Sequence, residues 1–268
     1  QGSGNGWARA IYFAGPSMVI YTCGMSNNAS PPLRTPPPVF AVGHRGASAY
    51  APENTVAAFD EAIRMGAKAV EFDLRLTCDG FAVVLHDETV DRTTNGSGPV
   101  AEHTRFDLLR LDAGSWMHTR FAGTRIPTLE EALLAIGPLA RPVIELKAEI
   151  PAELILRALR RYDLEQEALV ISFVEEWLHP LRMASGELAI GLLADKWSVD
   201  LPMRAKNLAS EVVVLNVDIL GTPEVAACEA RGLEVWCYTA NDVGMVAACA
   251  AMGVTGIITD RPDLIRTR

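Results

Sequence analysis

The sequence lacks the features that would assign it to several common functional classes. It has no run of basic residues, and its 33 Asp and Glu outnumber its 24 Lys and Arg, which gives a formal charge of −9. Nucleic acid attracts proteins with clustered Lys and Arg, so no nucleic-acid partner is expected. The five cysteines are odd in number and show no CxxC spacing. We expect reduced, buried thiols and neither a disulfide framework nor a zinc site.

The sequence also has no apolar run that is long enough to span a membrane. The one candidate, residues 8–23, contains Arg9 and is interrupted by Gly15-Pro16. As a secretory signal it would have a weak basic start and no clear Ala-x-Ala cleavage pattern. We expect a cytoplasmic protein without stable membrane insertion, with Met25 nearer the natural start. The alternative is a secreted or periplasmic protein, if residues 8–23 act as a signal.

Length and proline content predict one large folded domain after a short extension. The 268 residues are 49% hydrophobic, which suffices for a sizeable core. Pro31-Pro32 and Pro36-Pro37-Pro38 indicate a stiff linker. We therefore predict an N-terminal extension and Pro-rich linker over residues 1–38 and a domain over residues 39–268.

From residue 39 onward, short β-rich runs alternate with helical patterns, which predicts parallel strands joined by crossover helices. The predicted strands are Val39–Gly43, Ala69–Leu74, Pro142–Leu146, Ala168–Ser172, Leu188–Leu192, Val212–Asn216, Leu233–Tyr238 and Gly256–Thr259. The predicted helices are Thr55–Met65, Thr128–Ile136, Ala152–Arg160, Val174–Ala184, Pro223–Ala230 and Asp242–Ala251. Eight such units fit an α/β fold of the (β/α)8 TIM barrel type, with a small insertion at about 87–127 after the second strand. A doubly wound open sheet is the alternative.

Carboxylates occupy the second and third predicted strands. Alternation with period two places Glu71 and Asp73 on one face of the second strand, and Glu145 with Lys147 on one face of the third. Their apolar neighbours would face the helices, so three carboxylates would point inward near the barrel mouth. Such a cluster is costly unless a cation compensates its charge. Carboxylate oxygens suit Mg²⁺, or alternatively Ca²⁺. The competing interpretation is a structural ion-pair network with Arg75 and Lys147.

Two histidines are predicted to lie close to these carboxylates. His44 ends the first strand on its inward face, and His86 follows the apolar run Phe81–Leu85. Displacement at phosphorus needs a base and an acid, and histidine can serve either role near neutral pH. A lone histidine would be an ordinary polar residue, but a pair near a metal site and Arg45 favours phosphate-ester chemistry. Three histidines without such neighbours are expected at the surface or in packing: His103, His118 and His179.

Nine short motifs between Val42 and Pro262 occur in an order that resembles the glycerophosphodiester phosphodiesterase family, a branch of the phosphatidylinositol-phospholipase-C-like barrels. Each motif alone has little specificity, and their order carries the resemblance. The motifs are His44-Arg45-Gly46, Pro52-Glu53-Asn54-Thr55, Glu71-Phe72-Asp73, Thr77-Cys78-Asp79-Gly80, His86-Asp87, Asp91-Arg92-Thr93-Thr94, Pro127-Thr128-Leu129, Glu145-Leu146-Lys147 and Thr259-Asp260-Arg261-Pro262.

The resemblance implies metal-dependent hydrolysis of small phosphodiesters, of the glycerophosphocholine or glycerophosphoethanolamine type, to glycerol 3-phosphate and an alcohol. It implies His44 and His86 as the acid/base pair, and one divalent metal ion. It further implies that Arg45 and Lys147 contact the phosphate and that Glu53 orders the first loop. The implied metal ligands are Glu71, Asp73 and Glu145.

Two positions depart from the pattern of the family. Where the family usually has Trp-Thr-x-Asn after the seventh strand, this sequence has Tyr238-Thr239-Ala240-Asn241, with Trp236 two residues earlier. We expect Tyr238 and Trp236, on one strand face, to form the aromatic wall of the alcohol pocket. Cys78 replaces a common lysine at the surface. Neither departure affects a residue that is implied to be catalytic.

The sequence leaves other functions open. Lysophospholipase D-type hydrolysis of lysophospholipids would need only a wider apolar rim around the same site. A glycoside hydrolase barrel could use Glu71 and Glu145 as paired carboxylates, but it would leave His44, His86 and Arg45 unexplained, and 7% aromatic content offers few platforms for sugars. A non-catalytic binding barrel should have lost a catalytic histidine or a metal ligand, and each is present. The sequence does not predict an oligomeric state.

Overall fold

A computed structural model describes residues 39–137 and 139–265 of the chain. Eight parallel strands form a closed barrel that is surrounded by helices. The first strand pairs with the last strand and also with the second, so the barrel has no open edge. The predicted TIM barrel is therefore confirmed, and the open doubly wound sheet is wrong. The predicted extension and linker, residues 1–38, lie outside the described residues.

The strands are β1 (Phe40–Gly43), β2 (Ala69–Leu76), β3 (Ala82–Val84), β4 (Arg141–Leu146), β5 (Leu169–Ser172), β6 (Ala189–Ala194), β7 (Val212–Asn216), β8 (Glu234–Tyr238) and β9 (Gly256–Thr259). The helices are α1 (Val56–Arg64), α2 (Arg105–Leu108), α3 (Leu129–Ile136), α4 (Ala152–Arg161), α5 (Glu175–Ala184), α6 (Leu201–Asn207), α7 (Thr222–Glu229) and α8 (Val243–Met252). All strands except β3 belong to the barrel, in which β2 lies between β1 and β4.

Three elements were not predicted as regular structure: β3, α6 and the short helix α2. β3 pairs antiparallel with the end of β2, which extends β2 to Leu76, beyond its predicted end at Leu74. The short helix α6 has a proline at its start and only seven residues, too few for a helical hydrophobic pattern to stand out. Between β3 and α3 the chain makes an excursion that contains α2 and two short 3₁₀ turns.

The side chains of the barrel strands alternate between two apolar layers. Along β2, Val70 and Phe72 pack against the surrounding helices, whereas Ala69 belongs to the cluster inside the barrel. The positions that follow Ala69 on the inward face are Glu71 and Asp73, and both are buried. Because successive side chains of a strand point to opposite faces, this register directs both carboxylates into the upper barrel.

Helix caps fix the loops at the barrel mouth. The Thr55 side chain caps α1 by accepting a hydrogen bond from the backbone N of Ala58 at 3.3 Å, and its hydroxyl donates to the Pro52 carbonyl at 2.6 Å. Thr128 and Glu131 form a capping box at the start of α3, where the chain returns from the excursion. An N-cap of this kind stabilises a helix by about 1 kcal/mol. The caps therefore stabilise the points at which both loops end and the helices begin.

Among the described residues, no helix combines the length and apolarity needed to cross a bilayer. The described cysteines are all free thiols. Cys228, Cys237 and Cys249 are buried as expected, but Cys78 is exposed because it lies in the turn between β2 and β3. Cys23 lies outside the described residues.

Candidate active site

Three buried carboxylates meet at the carboxyl ends of two neighbouring strands. Glu71 and Asp73 come from β2, and Glu145 comes from β4, where it is the direct register partner of Asp73. One oxygen of each carboxylate lies within 4.8 Å of the others. The strand pairing therefore produces the inward acidic group that alternation predicts.

The three carboxylates differ in how readily they bind a proton. Burial raises the pKa of Glu71 well above its ordinary value, and the neighbouring Asp73 and Glu145 add to that rise. Burial and Asp73 also raise the pKa of Glu145, to about 7. Burial acts in the same direction on Asp73, but Arg45 and Lys147 outweigh it and hold the pKa of Asp73 below its ordinary value. The group therefore carries charge repulsion that two basic side chains only partly offset.

The residues present fit a divalent metal ion. Glu71 Oε2 accepts a hydrogen bond from the backbone N of Arg45 at 2.8 Å. Glu71 Oε1 is buried and has no hydrogen-bond partner among the described residues. Buried polar atoms are normally paired, and a cation among the three carboxylates would supply the missing partner. Because all the donors are oxygens, the group suits a hard ion such as Mg²⁺ or Ca²⁺.

His44 is held by a network of polar groups that follow the last two strands and β1. It follows β1, and its Nδ1 lies 2.6 Å from Asp260 Oδ1. Asp260 in turn accepts hydrogen bonds from Ser48 Oγ at 2.9 Å and from Asn241 Nδ2 at 2.6 Å. A histidine whose Nδ1 bonds a carboxylate presents Nε2 as the proton-exchanging atom. The network therefore fixes the tautomer and the orientation of His44.

His86 has a carboxylate partner of its own. It follows β3, and its Nδ1 lies 2.7 Å from Asp87 Oδ1. Burial lowers the pKa of His86, although Asp73 and Asp87 oppose that shift. The backbone oxygen of His86 also accepts a hydrogen bond from Arg75 Nε at 2.9 Å. Both predicted catalytic histidines therefore lie at the mouth with Nδ1 paired.

Arg45 and Lys147 are the basic side chains nearest to Asp73. Arg45 Nε and Lys147 Nζ each lie 3.4 Å from an oxygen of Asp73. Lys147 also forms an ion pair with Glu145, and Arg45 Nη1 donates to Glu53 Oε1 at 2.7 Å. Both cations thus lie at the acidic group, where an anion could reach them.

The first loop holds its polar residues in an unusual backbone conformation. Arg45 and Asn54 have φ of 53° and 58°, in the left-handed region that non-glycine residues rarely adopt. Asn54 Nδ2 donates to Asp73 Oδ2 at 2.7 Å, and its Oδ1 accepts from the backbone N of Asp73 at 3.2 Å. At Gly46 a Cβ would lie 2.4 Å from the carbonyl carbon of Ala58. Glycine therefore lets the loop pack directly on α1.

The aromatic residues differ from the prediction in one respect. Trp236 does not line the mouth, because its side chain is fully buried among residues at the starts of the strands: it packs edge-on against Phe40, and its Nε1 donates to Glu234 at 3.2 Å. Tyr238 lies two residues, or about 7 Å, further along β8 than Trp236, and so nearer to the mouth. Tyr238 does reach the mouth, and its partner there is Phe173, with ring centroids 6.0 Å apart.

Comparison with known proteins decides the family. The sequence model of the Glycerophosphoryl diester phosphodiesterase family matches residues 44–264. The chain belongs to this family. It is 37% identical over 236 residues to the glycerophosphodiester phosphodiesterase of Caldanaerobacter subterraneus, an alignment that covers 84% of this chain and 95% of that protein.

Solved structures agree with the assignment. The glycerophosphodiester phosphodiesterase of Agrobacterium tumefaciens superimposes with a TM-score of 0.76 at 32% identity, over 85% of this chain and 98% of that chain. An Oleispira antarctica phosphodiesterase in complex with the product sn-glycerol-3-phosphate gives a TM-score of 0.80 at 29% identity, over 86% of this chain and 95% of that chain. The protein is therefore an enzyme, a phosphoric diester hydrolase, and the glycoside hydrolase interpretation is not supported.

Sequence reasoning assigned no role to several residues that complete the site of this phosphodiesterase. Asp260, Asp87, Arg92 and Asn54 all belong to the nine motifs. Asp260, Arg92 and Asn54 have partners that are distant in sequence, whereas Asp87 pairs with its neighbour His86. Phe173 could have been found from its position, because it directly follows β5 and residues at the carboxyl ends of barrel strands line the site. The other three histidines lie elsewhere: His103 contacts the Ser97 carbonyl, His118 caps a 3₁₀ turn, and His179 lies on α5.

Proposed function

We propose that this phosphodiesterase hydrolyses glycerophosphodiesters with small head groups to glycerol 3-phosphate and an alcohol, with a divalent ion bound by the acidic group and with His44 and His86 as its acid and base. The observation that carries the proposal is the convergence of two carboxylate-paired histidines and two basic side chains on one buried acidic group. The Oleispira antarctica phosphodiesterase, which binds sn-glycerol-3-phosphate as product, supports the same product here.

The residues of the chain divide the chemistry between them. One histidine accepts a proton at Nε2 from the attacking hydroxyl, and the other donates a proton to the leaving alcohol. Arg45 and Lys147 bind the phosphate and stabilise the charge that builds on its oxygens, while Glu53 holds Arg45 in place. A bound divalent ion supplies further stabilisation of that charge as a Lewis acid. A free hydroxyl of the glycerol attacks phosphorus, and water then opens the cyclic phosphate.

We propose Mg²⁺ as the ion held by Glu71, Asp73 and Glu145, with Ca²⁺ as the alternative. Three carboxylates from two rigid strands suit a small ion that keeps several waters, whereas Ca²⁺ usually takes six to eight oxygens. Calorimetric titration of metal-free enzyme with each ion measures this preference. Tighter binding of Ca²⁺ than of Mg²⁺ would reverse the assignment.

The proposal predicts a strong preference for substrates with a neighbouring hydroxyl. Glycerophosphocholine or glycerophosphoethanolamine should be cleaved at least about 100-fold faster than a dialkyl phosphate that has no such hydroxyl, because an intramolecular nucleophile avoids the entropy cost of recruiting a second reactant. Phosphorus NMR of the products, with kcat/KM for each diester, measures the difference. Phosphocholine in place of glycerol 3-phosphate would show that a different P–O bond breaks.

A second candidate function is lysophospholipase D-type hydrolysis, which one observation favours. Phe173, Val199 and Val243 are exposed. Phe173 and Val199 lie in connections that follow β5 and β6, and Val243 is the first residue of α8, after β8, so all three lie on the same face as the site. An acyl chain could lie against such residues. A kcat/KM for lysophosphatidylcholine about tenfold above that for glycerophosphocholine, equivalent to about 1.4 kcal/mol of transition-state binding, would favour this candidate over the first.

Phe173, at the mouth, and Trp236, towards the base of the barrel, are expected to respond differently to substitution. Phe173→Ala should raise KM by about 2–10-fold, the equivalent of an aromatic contact of about 0.5–1.5 kcal/mol. Trp236→Phe should leave KM unchanged and lower Tm, with a cost below the about 3–5 kcal/mol typical of removing a buried Trp side chain. Steady-state kinetics and thermal melts test both. A raised KM for Trp236→Phe at unchanged stability would restore Trp236 to the pocket.

A further inference from the structure

Arg92, in the excursion that follows β3, binds two carboxylates at once. Its Nη1 and Nη2 donate to Glu53 Oε2 and Oε1, both at 2.8 Å. Its Nε and Nη2 donate to Asp87 Oδ2 and Oδ1 at 2.6 and 3.0 Å. Both contacts have the bidentate geometry in which a guanidinium matches a carboxylate. One side chain therefore joins the first loop to the loop that follows β3.

Each of these carboxylates also holds a residue of the candidate active site. Glu53 Oε1 accepts a hydrogen bond from Arg45 Nη1 at 2.7 Å, and Asp87 Oδ1 lies 2.7 Å from His86 Nδ1. The oxygens that Arg92 binds thus include the very oxygens that contact Arg45 and His86. Loss of Arg92 would therefore leave both carboxylates less fixed in orientation, and with them Arg45 and His86.

Arg92 lies between two carboxylates, Glu53 and Asp87, that remain negatively charged. The hydrogen bonds from Arg92 are the main cause that holds the pKa of Asp87 below its ordinary value. Burial acts to raise the pKa of Glu53, but the hydrogen bonds from Arg92 and Arg45 outweigh it. Two anions therefore stay ionised between the basic side chains. A lysine could not make the same contacts, because its ammonium is a point charge without the planar arrangement of donors.

We propose that Arg92 is a positioning residue for the phosphodiesterase reaction, which orients His86 through Asp87 and Arg45 through Glu53. Arg92 contacts neither the acidic group nor His86 directly; it acts only through its two carboxylate partners. The inference rests on the proposed function, which assigns His86 and Arg45 their roles. The competing explanation is that Arg92 only attaches the excursion to the barrel and so contributes to stability alone.

The kcat of Arg92→Met, expressed per mole of bound Mg²⁺, separates these explanations. Unfolded enzyme binds no Mg²⁺ at the site, so a loss of stability alone does not lower this kcat. We expect kcat with glycerophosphoethanolamine to fall by about 10–100-fold, while KM changes by less than about threefold. Residues that act as a unit show non-additive effects. In an Asp87→Ala/Glu53→Ala background, which has neither carboxylate, Arg92→Met should therefore cost less than about threefold.

Arg160 offers a matched control. It makes a bidentate contact with Glu165 at 2.7 and 2.9 Å, and the two side chains are 48% and 15% exposed, close to the 45% and 13% of Arg92 and Glu53. Arg160 lies near the end of α4, away from the strand ends that carry the site. Arg160→Met should lower Tm about as much as Arg92→Met and leave kcat within twofold of the wild type. Arg92→Lys, which keeps the charge, should give an intermediate kcat and serves as the test variant if Arg92→Met does not fold.

The outcomes distinguish this proposal from the proposed function. If His86→Ala abolishes turnover but Arg92→Met and Arg92→Lys keep wild-type kcat, Arg92 is structural and only the positioning role fails. An undiminished loss in the double-alanine background also overturns it, because Arg92 would then act by another route. If His86→Ala itself keeps wild-type turnover, the role proposed for His86 fails, whatever the Arg92 variants show.

Discussion

His44→Ala and His86→Ala are each expected to lower kcat by about 10²–10⁴-fold, the usual contribution of a general acid or base. The expectation follows from the geometry, since each histidine has Nδ1 bonded to a carboxylate, Asp260 or Asp87, and so offers Nε2 for proton transfer. Metal content should stay nearly unchanged, because neither histidine belongs to the acidic group. Steady-state kinetics with glycerophosphoethanolamine, with elemental analysis of each variant, measures both quantities.

The leaving group shows which histidine is the acid. A p-nitrophenyl ester of glycerol phosphate releases a weakly basic phenolate that needs no proton, so the variant without the acid should be far less impaired with this substrate than with an alkyl diester. His103→Ala is the matched control, because the imidazole of His103 contacts the Ser97 carbonyl in the excursion, away from the acidic group, and its kcat should equal that of the wild type. Wild-type turnover by either His44→Ala or His86→Ala would show that the histidine concerned is structural.

Removal of metal is expected to abolish turnover, and added Mg²⁺ or Ca²⁺ should restore it. The physical reason is the charge of the site: without a cation, Glu71, Asp73 and Glu145 repel one another and Glu71 Oε1 has no partner among the described residues. Glu71→Gln should remove most of the affinity for metal, whereas Glu130→Gln, an exposed position on α3, should not change it. Activity in EDTA, together with calorimetry, measures these effects. Full turnover in excess EDTA by protein without metal would refute the assignment.

The same carboxylates predict how stability depends on pH. The pKa values of Glu71 and Glu145 are raised in the folded protein, so the folded state binds their protons more tightly than the unfolded chain does. Their contribution to the stability of metal-free protein is therefore complete below the ordinary pKa of 4.5 and is lost as the pH rises through the folded values, about 7 for Glu145. The rise in Tm caused by Mg²⁺ should accordingly be larger at pH 8 than at pH 5.5.

Substitution tests this explanation of the pH dependence. Metal-free Glu71→Gln should melt above metal-free wild type at pH 8, because an amide removes a buried charge that lies beside two others. It should also lose most of the pH dependence of the metal-induced rise in Tm. Equal Tm increments at both pH values for the wild type would contradict the origin assigned here.

Local patterns in the sequence were sufficient to predict the barrel and its inward residues. Alternating strand and helix signals predict parallel strands, and closure of eight such units follows from their number and spacing. Because side chains alternate between the two faces of a strand, Glu71, Asp73 and Glu145 were expected to point inward at the mouth, where the structure has them. The motif order also identified the family. These features depend on the covalent geometry of a strand, which is local.

Other features depended on the height of each residue within the closed barrel and on which loops contact one another at its mouth. Alternation placed Trp236 and Tyr238 on one face, but only the register of β8 against β9, and of β9 against β1, shows that Trp236 lies level with Phe40, towards the base of the barrel. The ring that packs against Tyr238 is Phe173. The pairing of His44 with Asp260 joins the first barrel strand to the last, and the contacts of Arg92 join two loops. Partners that are distant along the chain leave no periodic signal, because only closure of the barrel brings them together.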